Sequence, residues 1–189
     1  MMFRKPERGG MNMRRVVLFI AMSLDGYIAD REGGVDWLKG QDEDGEDIDV
    51  YSDFVKGVDT VVMGWNTYHQ IVTELSPSEW IYADLKSYVI THREAVFGEK
   101  VVFSQENPCD LVRRLAKEEG KDIWICGGAE VVRQLMREDL IDIYYLTVIP
   151  VILGKGIRLF GGLDREINLK LRKTQSYNGI TDLVYERKS

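Results

Sequence analysis

Val61-Val62-Met63-Gly64-Trp65-Asn66-Thr67-Tyr68-His69-Gln70-Ile71 and Ile123-Trp124-Ile125-Cys126-Gly127-Gly128-Ala129-Glu130-Val131 are the stretches that decide the fold. Each opens on a short apolar run, passes through glycine and continues with helical periodicity. Short apolar runs bounded by turn signals read as buried strands. A helix that starts almost at once after a strand aims the free N–H groups of its first turn off the carboxyl edge of the sheet, where an anion is stabilised. Glycine at such a bend lets a ligand approach the backbone without a Cβ in the way. Ligand crevices in open α/β sheets lie at that edge. Either junction alone is equally well a plain tight turn. Together, and with a long glycine-rich stretch after the first strand, they point to a nucleotide. The Rossmann fingerprint and the Walker phosphate loop are both absent, so another binding arrangement is expected.

Working outward, residues 14–21 read as the first strand. The stretch after it carries Gly26, Gly33, Gly34, Gly40 and Gly45, and a connection that long is more often functional than filler. Its acidic run, Asp42-Glu43-Asp44-Gly45-Glu46-Asp47, leads into a short helix ending near Lys56-Gly57, where acids suit the helix dipole. A calcium loop needs its glycine later than Gly45 stands. Residues 60–63, 87–91, 100–103, 123–126 and 143–149 read as strands, and residues 66–73 as a helix. Asn107-Pro108 opens another helix, with Asn as cap. Leu111, Val112, Leu115 and Ala116 form its apolar stripe, and Val131, Val132, Leu135 and Met136 that of the next. The tail alternates, with Ile167, Leu169 and Leu171 inward and Asn168, Lys170 and Arg172 outward. It turns at Asn178-Gly179, a strong hairpin signal, into residues 180–186. These elements predict a three-layer α/β/α fold with a mostly parallel central sheet and an antiparallel C-terminal hairpin. Residues 13–189 form the expected single domain, behind a loose tail over residues 1–12.

Composition narrows the function classes. The chain has 189 residues, 44% hydrophobic and 30% charged, enough for one sizeable core. Its 25 Lys+Arg against 31 Asp+Glu give a net charge of −6, so a bulk positive field for nucleic acid is absent. Arg113, Arg114 and Lys117 read as the wet face of a helix. Two cysteines, Cys109 and Cys126, fit reduced thiols in a cytoplasmic protein. Met13-Arg14-Arg15 before the apolar run 16–22 imitates a signal peptide, but no small-x-small cleavage site follows. No run approaches the roughly 18–20 apolar residues that span a bilayer. His69 and His92 are not spaced as metal ligands, the two cysteines make no local zinc clip, and no metal is expected. Serine-histidine-acid catalysis has no nucleophile elbow to support it.

The first quoted stretch resembles the dihydrofolate reductase signature, in which Met-Gly precedes a basic residue, then x-Thr-aromatic, with Ile three residues on. The second resembles that fold's Gly-Gly turn, which carries a cis peptide and cradles the cofactor's pyrophosphate. Ile143-Tyr144-Tyr145-Leu146-Thr147 resembles the family's following strand. Ala21-Met22-Ser23-Leu24-Asp25-Gly26-Tyr27-Ile28-Ala29, with Pro150-Val151-Ile152-Leu153-Gly154-Lys155-Gly156 and Leu159-Phe160, resembles one branch of it. That branch is the reductase domain of riboflavin biosynthesis, the C-terminal domain of the bifunctional deaminase-reductase, and its stand-alone relatives.

The resemblance implies NADPH-dependent hydride transfer to a small heterocyclic or carbonyl substrate, like the 5-amino-6-(5-phosphoribosylamino)uracil reductase step. It implies that Ala21, Ile28 and Ala29 flank the nicotinamide, with the glycine-rich loop as a lid. Gly64, Trp65, Asn66 and Thr67 meet the pyrophosphate and adenosine side, and Thr91, His92 and Arg93 lie at the adenosine end. Gly127, Gly128, Ala129, Glu130 and Val131 wrap the phosphates, while Trp37, Tyr145 and Thr147 line the substrate side. Two departures stand out. Trp65 replaces the basic residue that pairs with the ribose 2′-phosphate; it can stack on adenine but cannot neutralise a phosphate, which leaves Arg93 as the substitute charge. For the substrate-gripping acid, Asp47, Asp49 and Asp53 are offered by the helix after the loop. Asp49 is the choice there, and Asp25 is the second catalytic candidate, although Asp before Gly is also ordinary turn chemistry.

The expected protein is thus a cytoplasmic, homodimeric reductase with a small-molecule substrate and neither nucleic acid nor membrane as partner. No deaminase domain is expected, so a riboflavin intermediate would arrive from a separate protein. Ile149–Leu153 and the strand around Ile167–Leu171 offer dimer surface. The alternatives are a non-catalytic nucleotide- or metabolite-binding dimer of the same fold, or a true dihydrofolate reductase.

Overall fold

The computed structural model describes residues 7–8, 11–46, 48–93 and 100–188. Much of the expected N-terminal tail, and Asp47, lie outside these; Glu7–Arg8 and Met11–Asn12 form a short antiparallel pair. The chain then runs β1 (Val16–Ser23), β2 (Tyr27–Ala29), α1 (Val50–Val55), β3 (Val58–Gly64), α2 (Trp65–Gln70), β4 (Lys86–Ile90) and β5 (Val101–Ser104). It continues through α3 (Pro108–Lys117), β6 (Asp122–Gly127), α4 (Ala129–Arg137), β7 (Ile143–Ile149), β8 (Ile157–Arg158), β9 (Leu169–Tyr177) and β10 (Ile180–Arg187). Eight strands make the central sheet in the order β9-β10-β7-β1-β6-β3-β4-β5. Strands β7 through β5 are mutually parallel, and the β9–β10 hairpin closes the sheet antiparallel.

Because successive strand residues face opposite sides, the apolar runs feed two cores. Val16, Leu18, Val62, Ile123, Ile125 and Tyr144 pack against α3 and α4 through Leu111, Leu115, Val132 and Leu135. On the other face Val61, Met63, Val89 and Trp124 meet Ile71 and a shell of aromatic rings from α1, α2 and the segment before β4. Asn107 caps α3 as its spacing predicts, accepting from Cys109 N at 2.8 Å. Helix α2 is shorter than the expected 66–73 span and passes into a π-helical turn, Ile71–Leu75, where Ser76 N donates to Ile71 O at 2.7 Å.

The hairpin turns on Asn178 (φ 44°) and Gly179 (φ 74°), the two positive φ values that a type I′ turn requires. Strand β9 departs from the expected alternation. Leu171 pairs with Tyr185 and Lys173 with Val184, leaving Arg172 as a bulge, and Leu171 is exposed rather than inward. A one-residue slip exchanges the faces of every residue beyond it. It puts Lys173 and Gln175 on the α1 face of the sheet.

Candidate functional site at the carboxyl edge of the sheet

Strands β3 and β6 are neighbours, and Met63 pairs with Gly127 at their ends. The two glycine bends therefore lie side by side. A Cβ placed on Gly64 would stand 3.4 Å from Val131 Cγ2 and 3.7 Å from Gly128 N. One on Gly127 would stand 3.4 Å from Ile20 Cδ1, and one on Gly128 3.4 Å from Thr67 Oγ1. Gly127 sits at φ +124°, a conformation that favours glycine, and its peptide bond to Gly128 is cis. Gly128 caps α4 without any side-chain acceptor, so no side chain caps the N–H groups of the first turn, which includes Ala129, Glu130 and Val131. Those amides, the absent side chains and Thr67 lie together, an arrangement whose chemistry suits a diphosphate. Ala129 and Val131 are buried behind it, and the Glu130 carboxylate points outward, paired with Gln134.

On the α2 side, Trp65 is half-buried in an aromatic cluster, 5.6 Å from Tyr68 and 6.2 Å from Phe103 between ring centroids. Arg93 lies over this ring at 5.1 Å. Thr91 is buried and accepts from Arg93 N at 3.0 Å, which fixes the turn that carries the guanidinium. Asn66 and His92 are exposed. The tryptophan thus occupies the place of a basic residue, and a cation from the next strand covers it.

On the sheet face beneath α1, four strands align one row of residues: Ala21 pairs with Thr147, Thr147 with Asp182, and Asp182 with Gln175. Ala21 and Thr147 are partly exposed, whereas Asp182 is 1% exposed. Its carboxylate accepts from Thr147 Oγ1 at 2.7 Å, Gln175 Nε2 at 2.8 Å and, more distantly, Tyr145 OH at 3.4 Å. Burial, and next the negative charge of Asp182, push the Tyr145 phenol up, so it keeps its proton. Phe19 stacks on Phe54 of α1 at 4.3 Å and meets Tyr145 edge-on. Ile28 is partly exposed nearby in sequence, but Ala29 is buried, paired with Ile157 of β8. Asp182 escaped the sequence reading. Its signal was an acid at an inward position, between Ile180 and Val184.

The two acids named as catalytic candidates hold structural tasks. Asp25 accepts from Ser23 Oγ (2.7 Å), Leu153 N (3.1 Å) and Gly154 N (2.7 Å), clamping the β1–β2 turn onto the loop after β7. The Ser23 hydroxyl and these amides hold its carboxyl below the usual carboxylate range. Asp49 is the N-cap of α1, accepting from Ser52 N at 3.0 Å on the exposed side. The glycine-rich loop is pinned rather than free. Gln70 Nε2 donates to Gly33 O at 2.8 Å, and Trp37 Nε1 to Gly34 O at 3.2 Å. Asn178, at the hairpin tip, exchanges two hydrogen bonds with the backbone of Asp42, at 3.0 and 2.9 Å. Gly40 and Gly45 are glycine because a Cβ there would stand 2.2 and 2.3 Å from the Asn178 side chain.

Among the described residues no cluster of His, Cys, Asp and Glu could hold a metal ion, and no helix is long and apolar enough to cross a membrane. The Cys126 thiol lies 3.7 Å from Tyr82 OH and is pushed up to about 11 by burial. Arg113 and Arg114 pair with Asp110, Glu138, Glu106 and Glu118, a solvated ion-pair face.

The family model of the RibD C-terminal domain matches residues 14–185. The uncharacterized protein YwjB of Bacillus subtilis (strain 168) is 42% identical over 177 residues, 92% of this chain and 98% of its own. A candidate riboflavin biosynthesis protein from Shewanella sp. PV-4 superposes with a TM-score of 0.79 at 29% identity, covering 93% of this chain and 99% of that one. The deaminase/5-amino-6-(5-phosphoribosylamino)uracil reductase of Thermotoga maritima gives 0.67 at 16%, covering 93% of this chain and 57% of that longer one. Dihydrofolate reductase of Enterococcus faecalis, solved with NADP(H), gives 0.65 at 17% over 94% of this chain and 99% of that one. The last two likenesses show the shared fold. With two glycine bends side by side at the carboxyl edge and a family match that runs from β1 into β10, the chain belongs to the RibD C-terminal domain family.

Proposed function

We propose that this protein is an NADPH-dependent reductase acting on a small heterocyclic or carbonyl compound, in the manner of the reductase step of riboflavin biosynthesis. The observation that carries the reading is the convergence of the Gly64 and Gly127–Gly128 bends into one cradle at the carboxyl edge of the sheet. NADPH bound there supplies a hydride, and a proton completes the reduction of a C=N or C=O bond. The backbone amides at the start of α4 hold the diphosphate. Arg93 meets the ribose 2′-phosphate with the charge that Trp65 lacks. Ala21, with no side chain beyond Cβ, leaves room for a planar ring against β1, and Thr147 stands beside it as a polar contact for substrate. Rate enhancement then comes chiefly from positioning and from excluding water.

The test is fluorescence titration with NADPH and NADH, followed by cofactor oxidation across a panel of pteridines, the ribosylaminopyrimidine and quinones. NADPH is expected to bind tighter than NADH, and Arg93→Ala to abolish the difference. Equal affinities unchanged by Arg93→Ala remove the NADPH assignment. Tight binding without turnover replaces the enzyme with a non-catalytic nucleotide-binding relative. A cytoplasmic homodimer belongs to the same proposal, supported by exposed Leu24 and Ile152. Sedimentation showing only monomer at micromolar concentration would remove the dimer.

A further inference from the structure

We propose that Asp182 is a positioning residue that fixes the hydroxyls of Thr147 and Tyr145 as hydrogen-bond acceptors toward the ligand, so that the site selects a ring presenting N–H donors. The inference rests on the reductase reading for the location of the site, and it goes further in naming a specificity determinant. A hydroxyl carries one proton and two acceptor lone pairs. Thr147 donates its proton to Asp182 at 2.7 Å, and Tyr145 donates to the same carboxylate. Neither has a second proton to give. What each can offer a ligand is a lone pair.

The carboxylate is built to keep that arrangement. It is almost entirely buried, and all three of its side-chain partners are neutral: Thr147, Gln175 and Tyr145. Gln175 reaches it because the Arg172 bulge turns that part of β9 onto the α1 face. Thr147 stands between Asp182 and Ala21 in one cross-strand row, so the oriented hydroxyl lies beside the position assigned to the reactive ring. Tyr145 and Gln175 also line a cavity of about 300 Å³ beneath α1, on the amino-end side of the row, where Arg15, Asp53, Asp122 and Lys173 bring charge; Thr147 and Ala21 lie outside it, toward the carboxyl edge. This pair of hydroxyl acceptors matches the amino and lactam N–H groups of a heterocycle. It leaves a bare carbonyl oxygen facing lone pairs, and a site built for a hydrogen bond discriminates strongly against a ligand that lacks it.

The experiment titrates the protein calorimetrically with diaminouracil and with its ring-N-dimethylated derivative, and measures NADPH affinity separately. The wild type is expected to bind the N–H form at least about tenfold tighter, a difference of one good hydrogen bond. Thr147→Val, equal in shape but without the hydroxyl, should bring the ratio close to one. Asp182→Asn, whose amide can donate back to Thr147, should do the same, and Thr147→Ser should restore the preference. Asp182→Asn sits in a buried network, so Thr147→Val keeps the test open if that protein fails to fold. A wild type without preference, or folded Thr147→Val and Asp182→Asn variants that keep it, overturns the proposal. Loss of NADPH binding in the wild type overturns the reductase reading alone, because the pyrimidine titration contains no cofactor.

Discussion

Replacing Asn178 by glycine isolates the clip between the hairpin tip and the glycine-rich loop. Gly-Gly satisfies a type I′ turn as Asn-Gly does, so the hairpin itself is preserved. The substitution removes the pair of hydrogen bonds to the backbone of Asp42, at 3.0 and 2.9 Å, and leaves the backbone bond from Gln41 N to the carbonyl of residue 178 at 2.9 Å. Each such bond contributes about 0.5–1.5 kcal/mol net, and at a solvent-exposed site the pair together contributes about 1–2 kcal/mol. If the loop opens locally, the protection of the Asp42 amide falls by about 5- to 30-fold. Hydrogen exchange of residues 41–46 reads this directly, with global stability followed by denaturant melts. Gly40→Ala is the second arm, because its Cβ would stand 2.2 Å from Asn178 Nδ2 and push the clip out from the other side. The two changes remove the same contact, so their combination should cost less than their sum. Asn178→Ala adds backbone strain at φ 44°, about 1–2 kcal/mol, and should lower global stability where the glycine variant does not. An Asp42 amide that exchanges at the same rate in wild type and Asn178→Gly would refute the pinned loop.

Four further outcomes follow from packing and charge. Leu135→Ala, fully buried on α4, should cost about 2–5 kcal/mol by denaturant unfolding. Leu171→Ala, half-exposed beside the bulge, should stay within about 0.5 kcal/mol, and a core-sized loss there would contradict the register. Asp25, held low by Ser23 and the Leu153 and Gly154 amides, stabilises the fold above the ordinary Asp value; that contribution fades as pH falls through its depressed native value. The stability difference between wild type and Asp25→Asn should therefore shrink below about pH 4, and a difference constant down to acid unfolding would refute it. The thiols of Cys109 and Cys126, both pushed up by burial, should alkylate slowly at pH 8 and rapidly in denaturant. Rapid labelling of the folded protein would contradict the packing around them.

The order of layers was legible in the chain because strand and helix periodicities are local. Val61–Met63 and Ile123–Cys126 are apolar on both faces, as strands buried between helices must be. The Asn107 cap and the Asn178–Gly179 turn depend on a few neighbouring residues and their φ values, so they too could be read directly. The glycine bends announced a cradle because only glycine leaves its backbone open to a ligand. The roles of the acids were less legible. Asp25 before Gly26 and Asp49 before α1 have the residue types of catalysis and of turn or cap chemistry alike, and the partner that decides is far away for Asp25: Leu153 and Gly154.

Side-chain period and backbone freedom within about ten residues were enough to read the sheet-and-helix alternation and the positions of the two glycine bends from the chain alone. Which acid stands beside Thr147 depends on long-range strand pairing. Asp182 meets Thr147 and Gln175 through pairing across three strands, and it meets Gln175 only because one bulged residue, Arg172, slips the register of β9. A slip of one residue leaves composition and hydrophobic period almost unchanged while exchanging which side chains share a face, and that exchange is fixed by contacts remote in the chain.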